Sequence, residues 1–301
     1  MVKFSKKDFL HLGISLGGHW SQDQVHRMSK TAKKDYFKSF YFASPLTMKE
    51  IFEDIQHPDL GQDQIAMPDP TDFMSAFYFL KQYPKKVEQG GFLGLSGKHG
   101  LAKAWKYVRA IQALKVKKIR WIFDEFPYAE LDEYFFLSDD GVHCRIHEPR
   151  IMPSSGWYSQ KFNKAGLAYE LGVSVYHDKI CWCSGPYPAG QNDIRIFRKK
   201  NGLMSKIPDN KRVIADEGYV GEPTKVATKN EFDPPEVVDL KRRAKARQES
   251  VNQKMKSFSI LNETFRTTGK QRMIKHQSAF EACLVIVQYE LDNGMRKLMK
   301  V

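Results

Sequence analysis

The residues with most to say about chemistry in this chain are acidic. Asp140 lies in the stretch SDDG, Asp216 in VIADEGY, and Glu249 in the cation-rich stretch RRAKARQES. Mg2+ is a hard, octahedral ion that takes carboxylate oxygens and keeps several waters, so a few convergent carboxylates suffice to hold it or Mn2+. Two such ions about 4 Å apart activate the attacking oxygen of an in-line displacement at phosphorus and stabilise the leaving one. Taken singly, each residue says little: Asp-Gly is usually a turn, and an Asp that ends a strand is usually a cap or a surface residue. The reading therefore depends on the elements that would gather them.

Residues 133–137 (EYFFL) form a short apolar run ending in Ser138-Asp139-Asp140-Gly141, which predicts a buried strand running into a turn at Asp140. Two further runs, 167–176 (LAYELGVSVY) and 179–184 (KICWCS), are separated by His177-Asp178 and predict an antiparallel hairpin. A Gly- and Pro-rich loop follows at 185–190, then a helix capped by Asp193. The strand 212–215 (RVIA) delivers Asp216, and Gly218 with Gly221 closes that segment. Residues 236–261 read as a long basic helix and 276–291 as an apolar one. Three antiparallel strands, a helix, a further strand and more helices is the order of a ribonuclease H-like α/β fold, a mixed sheet flanked by helices.

Counting by three, four and seven along the basic helix places Arg242, Lys245, Asn252 and Lys256 on or beside the face that carries Glu249. A carboxylate framed by cations suits a site that holds a metal and a phosphate backbone together; the bland alternative is a solvated amphipathic helix. Lys161, in YSQKFN, is a further cation that could reach a phosphate or simply lie on the surface. His143 and Cys144 adjoin Asp140, but neighbours on a strand point to opposite faces, so zinc is not assigned. Trp157, Trp182 and Tyr187 could stack on unpaired bases, with core packing or loop anchoring the stronger alternative.

A mainly helical region, 1–125, precedes the catalytic region, 126–301. Residues 1–40 read as a weakly ordered or partly helical arm. Residues 47–56, 71–82 and 101–114 repeat apolar residues at helical spacing. The apolar stretch 280–291 is a core element, with a homo-oligomer interface the lesser alternative. A net charge of +13, from 48 Lys and Arg against 35 Asp and Glu, biases the partner toward a polyanion, and nucleic acid leads. Four cysteines without a C-x2-C pair fit a reducing, intracellular compartment. No apolar run is long enough to predict a membrane span, and the first residues do not read as a secretory signal.

Several stretches in order, SDDGVHCRIHEP, YSQKFNKAGLAYELGVSVY, GPYPAGQNDIRIF, VIADEGY and RRAKARQESVNQKMKSFSIL, resemble the Harbinger-like (PIF/Harbinger) DDE superfamily endonucleases, a group of eukaryotic cut-and-paste transposases and their domesticated relatives. The resemblance spans Asp140 to Gln288. It implies Asp140, Asp216 and Glu249 as catalytic carboxylates, and adds Asp193 as a fourth metal ligand beside them. It also implies Mg2+ or Mn2+ as cofactor, two ions in number, DNA as substrate and the nucleus as location. Related bacterial enzymes carry Tyr and Arg upstream of the catalytic Glu where this chain has Arg242 and Lys245, while Lys256 keeps the downstream basic position. Lys161, Arg242, Lys245 and Lys256 would then contact phosphates. No helix-turn-helix is legible in 1–125, so recognition of transposon ends falls to the arm or to a separate DNA-binding protein. The rival is a domesticated, catalytically silent DNA-binding or protein-recruiting module.

Overall fold

The structure is a computed structural model that describes residues 2–18, 22–126, 134–150, 154–294 and 297–300. Glu133, the first residue of the expected strand, lies outside them. The chain divides into two compact units: 1–118 with 255–262 and 278–296, and 119–254 with 263–277 and 297–301.

In the first unit, the segment read as a weakly ordered or partly helical arm is helical over Lys6–Gly17, Gln22–Arg27 and Lys30–Tyr41. Ser5 and Asp8 form a reciprocal capping box at the first of these helices. Two of the segment's aromatics, Phe9 and Phe37, are fully buried core residues, as is Tyr41 just beyond it. Phe9 meets Phe52 edge-on at 5.3 Å, and the Tyr41 hydroxyl donates to the Gly13 carbonyl at 2.9 Å. The expected helices appear as Pro45–Asp54, Pro70–Gln82 and Gly97–Ala113, each opening on a Ser or Asp cap.

The second unit is built on a sheet. Among the described residues its strands are β1 (Phe135–Arg145), β2 (Tyr158–Ser159), β3 (Lys164–Ser174), β4 (Ile180–Pro188), β5 (Arg212–Ile214) and β6 (Val226–Ala227). β4, β3 and β1 run antiparallel in that order, β5 and β6 add parallel to β1, and β2 pairs with the start of β3. This is the mixed, helix-flanked sheet of a ribonuclease H-like fold.

Two local expectations are corrected. SDDG is not a turn after the strand: β1 continues through it, so Asp140 stands in mid-strand opposite Leu171. Pairing with β3 from Leu137 to Arg145 satisfies the backbone there, and that ladder outweighs the turn preference of Asp-Gly. Likewise Gly185-Pro186-Tyr187-Pro188 is the end of β4 rather than a loop. Both prolines lie on a strand that pairs only with β3 among the described residues, so the missing N–H groups cost no ladder bond on the open side.

A register shift between Phe135 and Leu137 sets the faces of β1. Phe136 and Leu137 both enter the core cluster with Phe197, Val213, Ala215 and Tyr219. Beyond the shift, Asp139, Gly141 and His143 share the face of Leu137, while Ser138, Asp140 and Val142 take the opposite one. On that opposite face the basic helix, Pro235–Lys256, packs through Leu240 and Ala244 against Phe135, Val175 and Ile214. Each fully buried Val or Ile there contributes about 1.5–3 kcal/mol by burial.

Candidate active site

The strand, a short helix, a turn and the long helix each bring one polar side chain to the middle of β1. Asp140 accepts a hydrogen bond from the Asn252 amide at 2.6 Å, and the Lys161 ammonium stands 3.8 Å from its other oxygen. That ammonium donates to the Gly141 carbonyl at 2.7 Å, which fixes it at the same point of the strand. Burial raises the Asp140 pKa, Lys161 opposes the rise, and Asp216 and Asp193 add to it. The sequence placed Asn252 on the right helix face without giving it a partner.

Asp193 is the first residue of the helix Asp193–Phe197, and Asn192 rather than Asp193 holds the cap position. Its carboxylate lies over Gly141: a Cβ at that glycine would come within 2.5 Å of Asp193 Oδ1. Glycine is thus the residue that lets the carboxylate approach the strand. His143 Nε2 is 4.0 Å from the same oxygen, and Ser159 Oγ holds the other ring nitrogen at 2.7 Å. Burial raises Asp193 as well, Lys161 again opposes, and Asp216 adds repulsion.

Asp216 follows β5 and caps the turn Glu217–Tyr219, accepting from the Gly218 N–H at 2.8 Å. A Cβ on Gly218 would lie 3.0 Å from Asp216 Oδ1 and 3.2 Å from Asp193 Oδ2, so this glycine sits between the two carboxylates. Asp193 and Asp216 thus meet at Gly218, and Asp193 also overlies Gly141, while Asp140, on the other face of β1, is held by Asn252 and Lys161 and feels both carboxylates electrostatically. Glu249 is placed differently. It is exposed on the long helix, one turn before Asn252 on the same face, and none of the described contacts joins it to the three aspartates. Arg242 donates to Asp239 at 2.5 Å, Lys245 lies one turn before Glu249, and Lys256 closes the helix within the first unit.

The donor types are those a divalent cation takes. They are hard carboxylate oxygens; Asp140 and Asp193 are raised by burial and in part by neighbouring carboxylates, and two glycines leave space where side chains would intrude. Among the described residues no three His, Cys, Asp or Glu side chains stand as close as ligands on one ion.

Behind Gly141 lies an acidic pair that the sequence reading passed over. Asp139 is 2% exposed on the Asp193 side of β1, and Glu170 of β3, opposite Gly141, is 1% exposed. Burial and then Glu170 push Asp139 well above the carboxylate range, against the neighbouring Tyr219 hydroxyl. Glu170 is pushed up to about 7, chiefly by burial, although Trp182 Nε1 donates to it at 2.7 Å. The signal available was the doubled Asp of SDDG: on a strand, one of two neighbours must face inward. Trp182 is accordingly a buttress for Glu170, and Tyr187 bonds Ser184 at 2.5 Å.

Among the described residues no helix is long and apolar enough to cross a membrane. No curated protein and no solved structure matches the chain. Residues 140–288, which begin at Asp140 and hold every aspartate of the site, match the family model described as DDE superfamily endonuclease.

Proposed function

We propose that this protein is a metal-dependent DNA endonuclease and strand transferase of the DDE transposase type, within the Harbinger-like group and acting in the nucleus. The observation that carries the reading is the meeting of Asp193 and Asp216 at Gly218, with Asp140 near enough for its carboxyl to feel both, inside the stretch matched by the endonuclease model. Those aspartates would hold Mg2+ or Mn2+, with Glu249 completing the set from the long helix. The bound ions supply activation of the attacking oxygen and neutralise charge on the leaving one. Asn252 holds the Asp140 carboxylate in one orientation, and Lys161, already at Asp140, offers its ammonium to a phosphate oxygen. Water would attack the phosphorus at a transposon end, breaking its bond to the 3′ oxygen and leaving a 5′ phosphate; the freed 3′ hydroxyl would then attack a phosphodiester of target DNA and displace that strand's own 3′ oxygen. Lys245 and Lys256, with Arg242, would track the backbone.

Incubation of purified protein with supercoiled plasmid tests this. Nicking in Mg2+ or Mn2+ that stops in EDTA and is lost in Asp140→Asn supports the activity. A well-folded protein that binds DNA and leaves the plasmid intact in both metals supports the silent-module alternative.

A further inference from the structure

A second feature of the sheet unit is unused by this chemistry. Beyond the end of β1, the backbone turns through His147, Glu148, Pro149 and Arg150 along one wall of a cleft of about 940 Å³. Arg150, Arg266, Lys270 and Arg272 contribute four cations to its lining, against one carboxylate, Glu148. Arg272 is only 7% exposed, and its Nε is buried without a hydrogen-bond partner. An orphaned guanidinium N–H in a concave basic site is costly unless an acceptor arrives. Arg272 also begins the helix Arg272–Asp292, whose positive end adds to the attraction for anions. Arg266 and Glu263 form an exposed ion pair at 3.3 Å, of the kind that contributes little and yields to a better acceptor.

Shared lining residues connect the cleft to Asp193. His147 and Glu148 also line a neighbouring pocket of about 630 Å³, which shares Ser155 and Tyr158 with a third, of about 500 Å³, lined by Lys161, Asp193 and Gly218. Trp157 lies half-buried in the wall of the basic cleft. An indole face there is available for stacking only to a base outside a duplex.

We propose that this basic cleft is a binding site for single-stranded DNA, holding an unpaired stretch of strand that runs from Asp193 past Tyr158 to Trp157 and the arginines. The proposal rests on the nuclease reading for the identity of its ligand. Phosphates pair with Arg150, Arg266, Lys270 and Arg272, and a base stacks on Trp157.

The test is fluorescence anisotropy in EDTA over a salt series, with a labelled single-stranded oligonucleotide and the same sequence as a duplex. The exposed double variant Arg150→Ala/Lys270→Ala should weaken single-strand binding about tenfold or more and lower the salt slope by about 0.7 for each lost contact. Trp157→Ala should weaken it about fivefold to a hundredfold, with duplex binding little changed. Circular dichroism melts of the same variants report folding. Unchanged single-strand affinity and slope in a folded double variant overturns the site, and so does an equal loss on duplex and single strand. Because the assay contains no metal, it stands apart from cleavage. A protein that nicks plasmid but shows no such losses keeps its activity and loses this cleft; one that does not nick yet shows them keeps the cleft.

Discussion

Replacing Glu170 by Gln isolates the acidic pair behind the candidate active site. Gln keeps the size of the side chain and an oxygen to accept from Trp182, but cannot ionise. In the wild type, burial raises the Glu170 carboxyl from its ordinary 4.5 to about 7. The folded protein therefore keeps that proton to higher pH than the unfolded chain does. As pH rises past 4.5 the unfolded chain releases its proton first, so stability falls until pH passes about 7 and then levels off. At about 1.4 kcal/mol per pKa unit, the whole effect is about 3 kcal/mol. The predicted outcome is that Glu170→Gln gains on the wild type as pH rises, and that the difference in unfolding free energy grows by about 2.5 kcal/mol between pH 5 and pH 8. Urea denaturation of both proteins at several pH values, followed by Trp fluorescence, measures it. A difference that is the same at pH 5 and pH 8 would refute the claim that Glu170 is a destabilised buried acid.

Gly141→Ala places a Cβ about 2.5 Å from the Asp193 carboxylate and should lower plasmid nicking about a hundredfold or more while the protein still binds duplex DNA; parental nicking would remove Asp193 from the machinery. Asp216→Asn retains the acceptor for the Gly218 N–H and removes a charge that repels Asp140 and Asp193. It should therefore abolish nicking while the denaturation midpoint in EDTA stays level or rises, and a clear drop in that midpoint would count against repulsion at this site. Asn252→Ala frees the Asp140 carboxylate from its amide and should cost about 1–3 kcal/mol of stability together with much of the nicking rate; retention of both would make that bond incidental. Lys245→Ala should lower the salt slope of duplex binding by about one unit without changing sequence preference, and an unchanged slope would return this helix face to solvent.

How much was legible in the sequence differs from residue to residue. The hairpin of β3 and β4 and the long helices were readable because their apolar spacing persists over many residues. β6 was not, because Val226 and Ala227 are too few to make a pattern. Asp140 was found, but on the wrong kind of element. Asp-Gly signals a turn when considered locally, and only the β3 partner, distant in sequence, supplies the ladder that keeps it extended. The importance of Gly141 and Gly218 was invisible for a related reason: what a glycine makes room for, here the Asp193 carboxylate, is defined by tertiary approach. Glu170 looked like one polar residue in an apolar strand, and its partner Asp139 lies far away along the chain. The helices of residues 1–40 were only partly legible because the segment is polar and Lys-rich, and residues that pack on Phe9, such as Phe52 and Phe73, lie further along the chain.

The central claim is that Asp140 acts as a metal ligand for DNA cleavage, and exchanging its oxygen for sulfur tests that most directly. Thiolates select softer ions than carboxylates do, so Asp140→Cys changes which metal the site accepts if the side chain touches that metal. Plasmid nicking by this variant should be absent in Mg2+ and return in part when a thiophilic ion such as Cd2+ is supplied, while the wild type is active in Mg2+. Nicking by Asp140→Cys in Mg2+ at the wild-type rate, or no nicking by the wild type in any divalent metal, would contradict the account.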